Sequence, residues 1–426
     1  MIPFSFIHAA DLHLDTPFTG VGRVNESLKQ KLQDASLKAF DNLIHAAITH
    51  EVDFVLLAGD IYDGADRGVR AQARFLHGLR ELDGQGIRCF SIHGNHDPVG
   101  EGWSAIRAED LPPSAVIFNQ WDTVRAEPVM RDGEVLAVVH GISFRLRSES
   151  RNLSLLFPES RGEGEFHIGL LHCNVGAQSG HDNYAPCTVQ DLCGRAIDYW
   201  ALGHIHERTM LRPSNPLILY PGNLQARRFD ELGPKGATIV RVADRNHIDT
   251  EMLPLDEIRF AQLHTDVTGC NSIEEVMNTS TTALVRAIED AKPRPLITRL
   301  RLQGQTNAHQ DLLKAEAQDQ LVSSLRDRLP ENSVWLDHVT VSTIPVVDRI
   351  EVGRSGGFQA ALVQLTDALI GSHPASTDLQ TRVRVPLVNG TQFDDLLPTP
   401  NAYDAREKIL QAEGRLLGLM EAEADE

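Results

Sequence analysis

The sequence predicts a layered α/β fold in which helices cover a sheet or a pair of sheets. Short apolar runs alternate with helical patterns in the first half of the chain, and further strand-like runs follow them. Strand–helix–strand alternation is typical of a sheet with helices packed on its faces. Apolar residues make up 42% of the 426-residue chain, which is enough for a sizeable core.

The first region, residues 1–253, contains most of this alternation. A strand is predicted at Phe4–Ile7, and residues 34–50 place Leu37, Phe40 and Ile44 on one helical face. The other elements, in chain order, are a strand at Phe54–Ala58, a helix at 68–82, and strands at Cys89–Ile92, Val135–Val139, Ile168–Leu171, Tyr199–Leu202, Leu217–Tyr220 and Thr238–Val242.

Residues 254–346 have a different pattern and are expected to form a small second domain. The predicted order is strand, helix, strand, helix, strand, at Phe260–Val267, Ser272–Ala291, Leu296–Leu302, Asp311–Arg328 and Val334–Ser342. A β-α-β-α-β unit of this length is a plausible independent domain.

Residues 347–426 are expected to form a helical C-terminal region. One amphipathic helix is predicted at Leu362–Ile370 and another at Tyr403–Glu421. The second helix carries an apolar stripe made of Ile409, Leu416, Leu417 and Met420. The stripe could bind a partner protein, or it could pack on its own domain.

Composition limits the function classes. A formal net charge of −19 excludes a histone-like or arginine-rich nucleic-acid binder. Five scattered cysteines without a CxxC pair are typical of reduced thiols in a cytosolic protein. The apolar runs are shorter than the ~20 residues that span a bilayer, and the N-terminus has no basic segment of a signal peptide. We therefore expect a soluble, cytoplasmic protein without a membrane partner.

Five short segments rich in metal-ligand residue types lie just past the ends of predicted strands. They are Asp11-Leu12-His13, Gly59-Asp60-Ile61-Tyr62-Asp63, Gly94-Asn95-His96-Asp97, His172 and Gly203-His204-Ile205-His206. Ligand sites collect at the carboxyl ends of strands in α/β sheets, so parallel neighbours would bring these segments together. Oxygen and nitrogen donors without cysteine suit Mn²⁺, Fe²⁺ or Zn²⁺. Seven donors exceed what one ion with an open position needs, and they fit two ions that share a bridging carboxylate.

Each segment by itself also has an ordinary structural interpretation. Asp11 could cap a turn, and His172 could be a satisfied core histidine. The segment around His204 could be a structural hairpin. The order of all five segments, and their shared placement after strands, favours the metal site.

In this order, the motifs DxH, GDxxD, GNHD, an isolated His and GHxH resemble the calcineurin-like metallophosphoesterase superfamily over about the first 250 residues. Within it, the segments 8–15 and 220–227 look like the SbcD-type DNA repair exonucleases, and most like the YhaO-like branch. Residues 233–236 fit that branch too. The resemblance implies a β-sandwich flanked by helices, an α+β capping domain and a C-terminal helical tail.

The resemblance also implies a role for each residue. One ion would be held by Asp11, His13, Asp60 and His206, and the other by Asp60, Asn95, His172 and His204, with Mn²⁺ as the active metal. His96 would face the phosphate as general acid or charge stabiliser, and Asp97 would orient it. Some relatives carry a histidine where Asp63 stands, which leaves the substrate-handling role of that position open.

The ligand set by itself predicts phosphate-ester hydrolysis and does not separate monoesters from diesters, or proteins from nucleic acids. The resemblance implies a metal-dependent DNA exonuclease or endonuclease that acts in DNA repair. Two cations about 3.5–4 Å apart lower the pKa of a bridging water, and the hydroxide attacks phosphorus in line with the leaving oxygen. The alternative is a phosphodiesterase or phosphatase acting on a small phosphate ester. Gly64 and Asp97 argue against a protein phosphatase, which has Arg and Glu there. A non-catalytic scaffold would have lost a metal ligand, and every ligand position is filled.

Five arginines are candidate DNA contacts, although a solvated charged loop is the alternative for any one of them. They are Arg145, Arg147 and Arg151 in a predicted loop, and Arg227 and Arg228 after the Pro-Gly-Asn turn. Guanidinium groups near phosphates position the nucleic-acid backbone rather than read bases. The resemblance further implies a homodimer that works with a coiled-coil ATPase of the SMC-like class.

Overall fold

The computed structural model describes residues 1–20, 26–64, 68–100, 106–160, 164–177, 182–330, 333–371, 409–410, 412–414 and 416–417. The chain divides into two compact units. The first comprises Met1–Ala261, Ala291–Ile297 and Asn332–Val334, and the second comprises Gln262–Asp290, Thr298–Glu331 and Trp335–Glu426. The three-domain division expected from the sequence stays a prediction.

The strands, in chain order, are β1 (Phe4–Ala9), β2 (Phe54–Ala58), β3 (Arg88–Ile92), β4 (Ala115–Phe118), β5 (Arg125–Arg131), β6 (Glu134–Gly141), β7 (His167–His172), β8 (Tyr199–Gly203), β9 (Thr209–Pro213), β10 (Leu217–Tyr220), β11 (Gly236–Asp244), β12 (His247–Pro254), β13 (Arg259–Asp266), β14 (Leu296–Gln305) and β15 (Val334–Ile344). The α-helices are α1 (Glu26–Thr49), α2 (Val69–Gly84), α3 (Val189–Cys193), α4 (Ile273–Ala291), α5 (His309–Leu313), α6 (Ala315–Asp327), α7 (Arg349–Ser355) and α8 (Gly357–Gly371).

The strands of the first unit form two large sheets. One has the order β12-β11-β1-β2-β3-β4, and the other has the order β5-β6-β7-β8-β10-β9. Strands β1 to β4 run parallel in the first sheet, and β6, β7, β8 and β10 run parallel in the second. Parallel pairing places the carboxyl ends of neighbouring strands at one edge of each sheet. A separate sheet has the order β13-β14-β15.

The inner faces of the two large sheets pack on each other through a core of aliphatic and aromatic side chains. The rings of Phe6 and Phe54 stack at 4.9 Å between centroids, and the Tyr199 ring of the second sheet meets Phe6 edge-on at 5.2 Å. Helices α1 and α2 cover the outer face of the first sheet with buried side chains such as Phe40 and Leu79. The predicted α/β sandwich flanked by helices is therefore confirmed.

Most predicted strands and helices are present, and most of their ends agree within two residues, whereas α1 begins eight residues earlier than predicted. Strands β4, β5, β9 and β12 were not predicted. The helix expected at Asp311–Arg328 is wrong as a single element, because Lys314 has extended backbone angles (φ −61°, ψ 126°) between α5 and α6. Leu312 and Leu321, both buried, are nine positions apart. Nine residues are about two and a half helical turns, so one straight helix would point them in opposite directions.

The described part of the C-terminal region packs within the second unit. Helix α8 confirms the predicted helix at Leu362–Ile370 and begins five residues earlier. In the apolar stripe, Leu417 is 1% exposed whereas Leu416 is 48% exposed. Ile409 is half-buried, and Met420 lies outside the described residues. Among the described helices, none has the length and apolarity to cross a membrane.

Candidate metal centre

The predicted ligand segments meet at one end of the sandwich. Asp11 follows β1 and Asp60 follows β2, while His172 ends β7 and His204 follows β8. Direct contacts join the two sheets here. The backbone N–H of His204 donates to both carboxylate oxygens of Asp11 (3.2 and 3.0 Å), and Nδ1 of His172 donates to the Ala58 carbonyl (2.8 Å).

The first group of donors comprises Asp11, His13 and His206, with ligand atoms within 4.8 Å of one another. His13 is fully buried, and neither of its ring nitrogens has a hydrogen-bond partner among the described residues. Burial, assisted by the charge of Arg227, holds the pKa of His13 well below its usual range, so the ring is neutral. Buried polar groups almost always have a partner. A neutral imidazole without one fits a metal ion.

The second group comprises Asn95, His172 and His204. Oδ1 of Asn95 lies 2.9 Å from Nε2 of His172 and 3.1 Å from Nδ1 of His204. The opposite nitrogens of the two rings donate to the carbonyls of Ala58 and Asp182, both at 2.8 Å. Burial lowers the pKa of His172 to about 4, so its ring is neutral. Nε2 of the neutral His172 ring therefore presents a lone pair to the amide oxygen of Asn95, an arrangement that a cation between them would relieve.

Asp60 lies between the two groups. Its Oδ2 is 3.8 Å from Nε2 of His13 and 3.5 Å from Nε2 of His172. Burial raises the pKa of Asp60 to about 6, and burial together with the Asp60 charge raises the pKa of Asp11. Two adjacent buried carboxylates are unfavourable unless a positive charge compensates them. The residues therefore fit one or more divalent ions, with Asp60 in the bridging position.

Glu231 orients His206, and no sequence motif had pointed to Glu231. Oε1 of Glu231 accepts a hydrogen bond from Nδ1 of His206 at 2.7 Å, which leaves Nε2 toward the Asp11 carboxylate at 3.9 Å. The other oxygen of Glu231 accepts from Nδ2 of Asn223 and from the backbone N–H of Arg227. Burial raises the pKa of Glu231, but the hydrogen bond and charge of His206 outweigh it and lower the pKa to about 2. A carboxylate behind a ligating histidine fixes its tautomer.

The carboxylate at the His96 ring is Asp63, which corrects the role expected for Asp97. Nδ1 of His96 lies 2.5 Å from Oδ1 of Asp63. The oxygens of Asp97 accept the backbone N–H groups of Ile61 (2.9 Å) and Gly94 (2.8 Å) and so tie the two loops together. Burial lowers the pKa of His96, but the hydrogen bond to Asp63 and the charge of Asp60 raise it overall.

The backbone at the site is constrained. Asp11, His13, Asp60 and His204 all have positive φ, between 43° and 104°. Such angles are rare outside glycine and cluster at functional sites. A Cβ on Gly94 would collide with the Asp60 carboxylate. The glycine here therefore permits close packing between protein groups.

Arg145 and Arg151, on the loop after β6, both contact Trp121, which lies between β4 and β5. The guanidinium of Arg145 lies over the Trp121 ring at 5.4 Å from its centroid. Arg151 donates to both oxygens of Glu149 (3.0 and 2.7 Å) and to the Trp121 carbonyl. Arg147, on the same loop, is exposed. Because its charge is paired within its own loop, Arg151 fits a structural role better than the expected contact with DNA.

Arg227 and Arg228 are adjacent but differ in their surroundings. Arg227 is 16% exposed, and its Nη1 lies 3.2 Å from Oδ2 of Asp63, at the candidate site. Arg228 is 56% exposed, and its Nε lies 3.3 Å from Oδ1 of Asp230. Both arginines were candidates in the sequence. Nothing in the residues around them indicates that only Arg227 is buried beside the candidate metal ligands.

Comparisons with known proteins identify the family of the chain. Residues 4–208 match the model of the calcineurin-like phosphoesterases, and residues 260–344 match the middle domain of the metallophosphoesterase YhaO. The chain is 34% identical to the uncharacterized metallophosphoesterase YhaO of Bacillus subtilis over 78% of its own length and 80% of that protein. The chain belongs to the calcineurin-like metallophosphoesterases of the YhaO type, as its motifs predicted.

More distant relatives carry a DNA repair name. The DNA double-strand break repair protein Mre11 of Thermoplasma acidophilum is 26% identical over 68% of this chain and 75% of that protein. Mre11 of Haloferax volcanii is 24% identical over 96% of this chain and 85% of that protein. A solved dimetal phosphatase from Danio rerio is 13% identical to this chain, with a TM-score of 0.34. The match covers 59% of this chain and 99% of that one.

Proposed function

We propose that the protein is a divalent-metal-dependent nuclease that hydrolyses phosphodiester bonds in DNA. The observation that carries the proposal is the approach of two buried, neutral imidazoles, His13 and His172, to one carboxylate oxygen of Asp60, with Asn95 in contact with His172. The similarity to proteins named for double-strand break repair supports DNA as the substrate. A role in DNA repair, with an SMC-like ATPase and a second copy of the chain as partners, belongs to the same proposal.

Asp11, His13, Asp60 and His206 would hold one ion, and Asp60, Asn95, His172 and His204 would hold the other, with Mn²⁺ as the metal. Two divalent ions bound there would supply a nucleophile at neutral pH and neutralise charge that develops on the phosphate.

His96 supplies the proton. Its Nδ1 is taken by Asp63, so Nε2 is the atom that can donate to the leaving oxygen as the phosphorus–oxygen bond breaks. The raised pKa of His96, to which Asp63 and Asp60 contribute, keeps a larger fraction of the ring protonated near neutral pH. Asp63 is therefore a positioning residue, and His96 is the general acid.

A nuclease assay on the purified full chain tests the proposal. We expect cleavage of labelled single- or double-stranded DNA with Mn²⁺, loss of cleavage in EDTA, and recovery when Mn²⁺ is restored. Asp60→Asn should abolish cleavage, because both ions lose the shared ligand, whereas the remote Arg241→Gln should not change it. Hydrolysis of bis-p-nitrophenyl phosphate without any DNA cleavage would instead identify a phosphodiesterase or phosphatase for small esters.

A further inference from the structure

The guanidinium of Arg227 is held beside the candidate site by contacts at both ends of the residue. Its backbone N–H donates to Oε2 of Glu231 at 2.6 Å, and its carbonyl accepts from the N–H of Thr19 at 3.0 Å. Its Nη1 donates to Oδ2 of Asp63 at 3.2 Å. The arginine is therefore anchored to Glu231, which orients His206, and to Asp63, which orients His96.

These anchors leave donor capacity unused. A guanidinium carries five N–H donors, and the hydrogen bond from Arg227 to Asp63 uses one of them. Its Nε is buried without a hydrogen-bond partner among the described residues. Leaving a buried charged donor unsatisfied is unfavourable. An anionic ligand with several acceptor oxygens would satisfy it.

The surroundings select the kind of anion. Oδ1 of Asp63, whose other oxygen binds Arg227, lies 2.5 Å from Nδ1 of His96 and 3.9 Å from Nδ1 of His13. The guanidinium thus shares one carboxylate with the proposed general acid and adjoins a proposed metal ligand. Arginine binds phosphate through parallel N–H donors in a planar fork.

We propose that Arg227 binds a non-bridging oxygen of the substrate phosphate, with Asp63 holding this guanidinium and the His96 ring in one arrangement. The inference rests on the proposed reaction at the same site. It assigns Arg227 to the reacting phosphate itself, rather than to the DNA backbone away from the point of cleavage. The contact is the same for a DNA phosphodiester and for a small phosphate ester.

Binding of inorganic phosphate to the Mn²⁺-loaded full chain tests this without turnover. Arg227→Gln should weaken phosphate binding at least about tenfold and lower kcat/KM for bis-p-nitrophenyl phosphate about 100-fold, the loss typical of one oxyanion donor. Arg227→Lys keeps the positive charge but lacks the planar set of N–H donors. Its phosphate affinity and its kcat/KM should therefore lie between those of the wild type and those of Arg227→Gln. Added guanidinium ion should restore part of the activity of Arg227→Ala. Arg241→Gln, far out on β11, is the matched control and should behave as the wild type.

Free Mn²⁺, measured by its electron paramagnetic resonance signal, separates this role from a structural one. The expected result is unchanged Mn²⁺ affinity in Arg227→Gln together with weakened phosphate binding. The inference is overturned if the variant binds phosphate as the wild type does, or if it loses Mn²⁺ and phosphate to the same extent. A wild-type protein that hydrolyses neither DNA nor the small diester would contradict the proposed function instead.

Discussion

At the scale of single residues, the pairing of His96 with Asp63 has a measurable consequence for pH dependence. Burial lowers the pKa of His96, and the hydrogen bond and negative charge of Asp63 raise it. Replacing Asp63 by asparagine removes that charge and destabilises the imidazolium. The pKa of His96 should therefore fall. As pH rises, the rate of a reaction that needs protonated His96 should then begin to decline at a lower pH than in the wild type.

The measurement is the profile of kcat/KM against pH for the wild type and Asp63→Asn, at saturating Mn²⁺. We expect the alkaline limb to move to lower pH in the variant, because less of its His96 is protonated at each pH. His96→Ala should remove the limb altogether. Superimposable alkaline limbs for the wild type and Asp63→Asn would disprove the pairing as a functional one.

The sequence predicted that the candidate ligand segments lie together, but it did not reveal which carboxylates contact His96 and His206, and the reason is physical. Asp11 and Asp60 each lie just past the end of a strand, so the strand pattern itself predicts where they lie. Glu231 is 25 positions from His206, and only the tertiary fold brings the two together. Asp97 is next to His96 in the chain, but its carboxylate is taken by backbone N–H groups.

At the scale of secondary structure, the strands that the sequence did not reveal are the edges of the two large sheets. Strands β12 and β4 are the outer strands of one sheet, and β5 and β9 are the outer strands of the other. The central strands β2 and β8 are buried at every position, so they appear as continuous apolar runs. An edge strand such as β9 lacks fully buried positions and needs no apolar run.

Within the second unit, an ion pair that the sequence did not predict connects the described C-terminal residues to α7. Glu413 is 3% exposed, and its carboxylate accepts from Nε and Nη2 of Arg349 at 2.7 and 3.0 Å. Arg349 also donates to Asp367 on α8. A buried carboxylate that loses its partner is left uncompensated.

Arg349→Ala should therefore lower the free energy of unfolding by about 2 kcal/mol, less than a fully buried pair because the arginine is partly exposed. Urea denaturation measures the change. Lys314→Ala breaks the exposed pair with Asp311 and should change stability by less than about 0.5 kcal/mol, so it serves as the control. The double variant Arg349→Met with Glu413→Leu should recover much of the loss. Equal stability of Arg349→Ala and Lys314→Ala would contradict this account.

At the scale of the whole molecule, charge decides how DNA could be bound. The chain carries 59 acidic and 40 basic residues, and the acidity is spread over all three sequence regions. Among the candidate DNA-binding arginines, Arg151 and Arg228 are engaged by Glu149 and Asp230. These two side chains are then less available for phosphates along the duplex. Bound divalent ions would instead set the local field at the site.

The affinity for DNA should consequently fall less steeply with salt than that of a protein with an extended basic surface. If about three phosphates are neutralised, the logarithm of the binding constant should fall with the logarithm of salt concentration with a slope of about −3. Fluorescence anisotropy of labelled duplex DNA with Mn²⁺-loaded His96→Ala, which should not cleave it, gives this slope. EDTA should weaken binding, because the ions supply much of the positive charge. A slope steeper than about −6 would reveal an extended basic surface and refute this view, since proteins that contact six or more phosphates give such values.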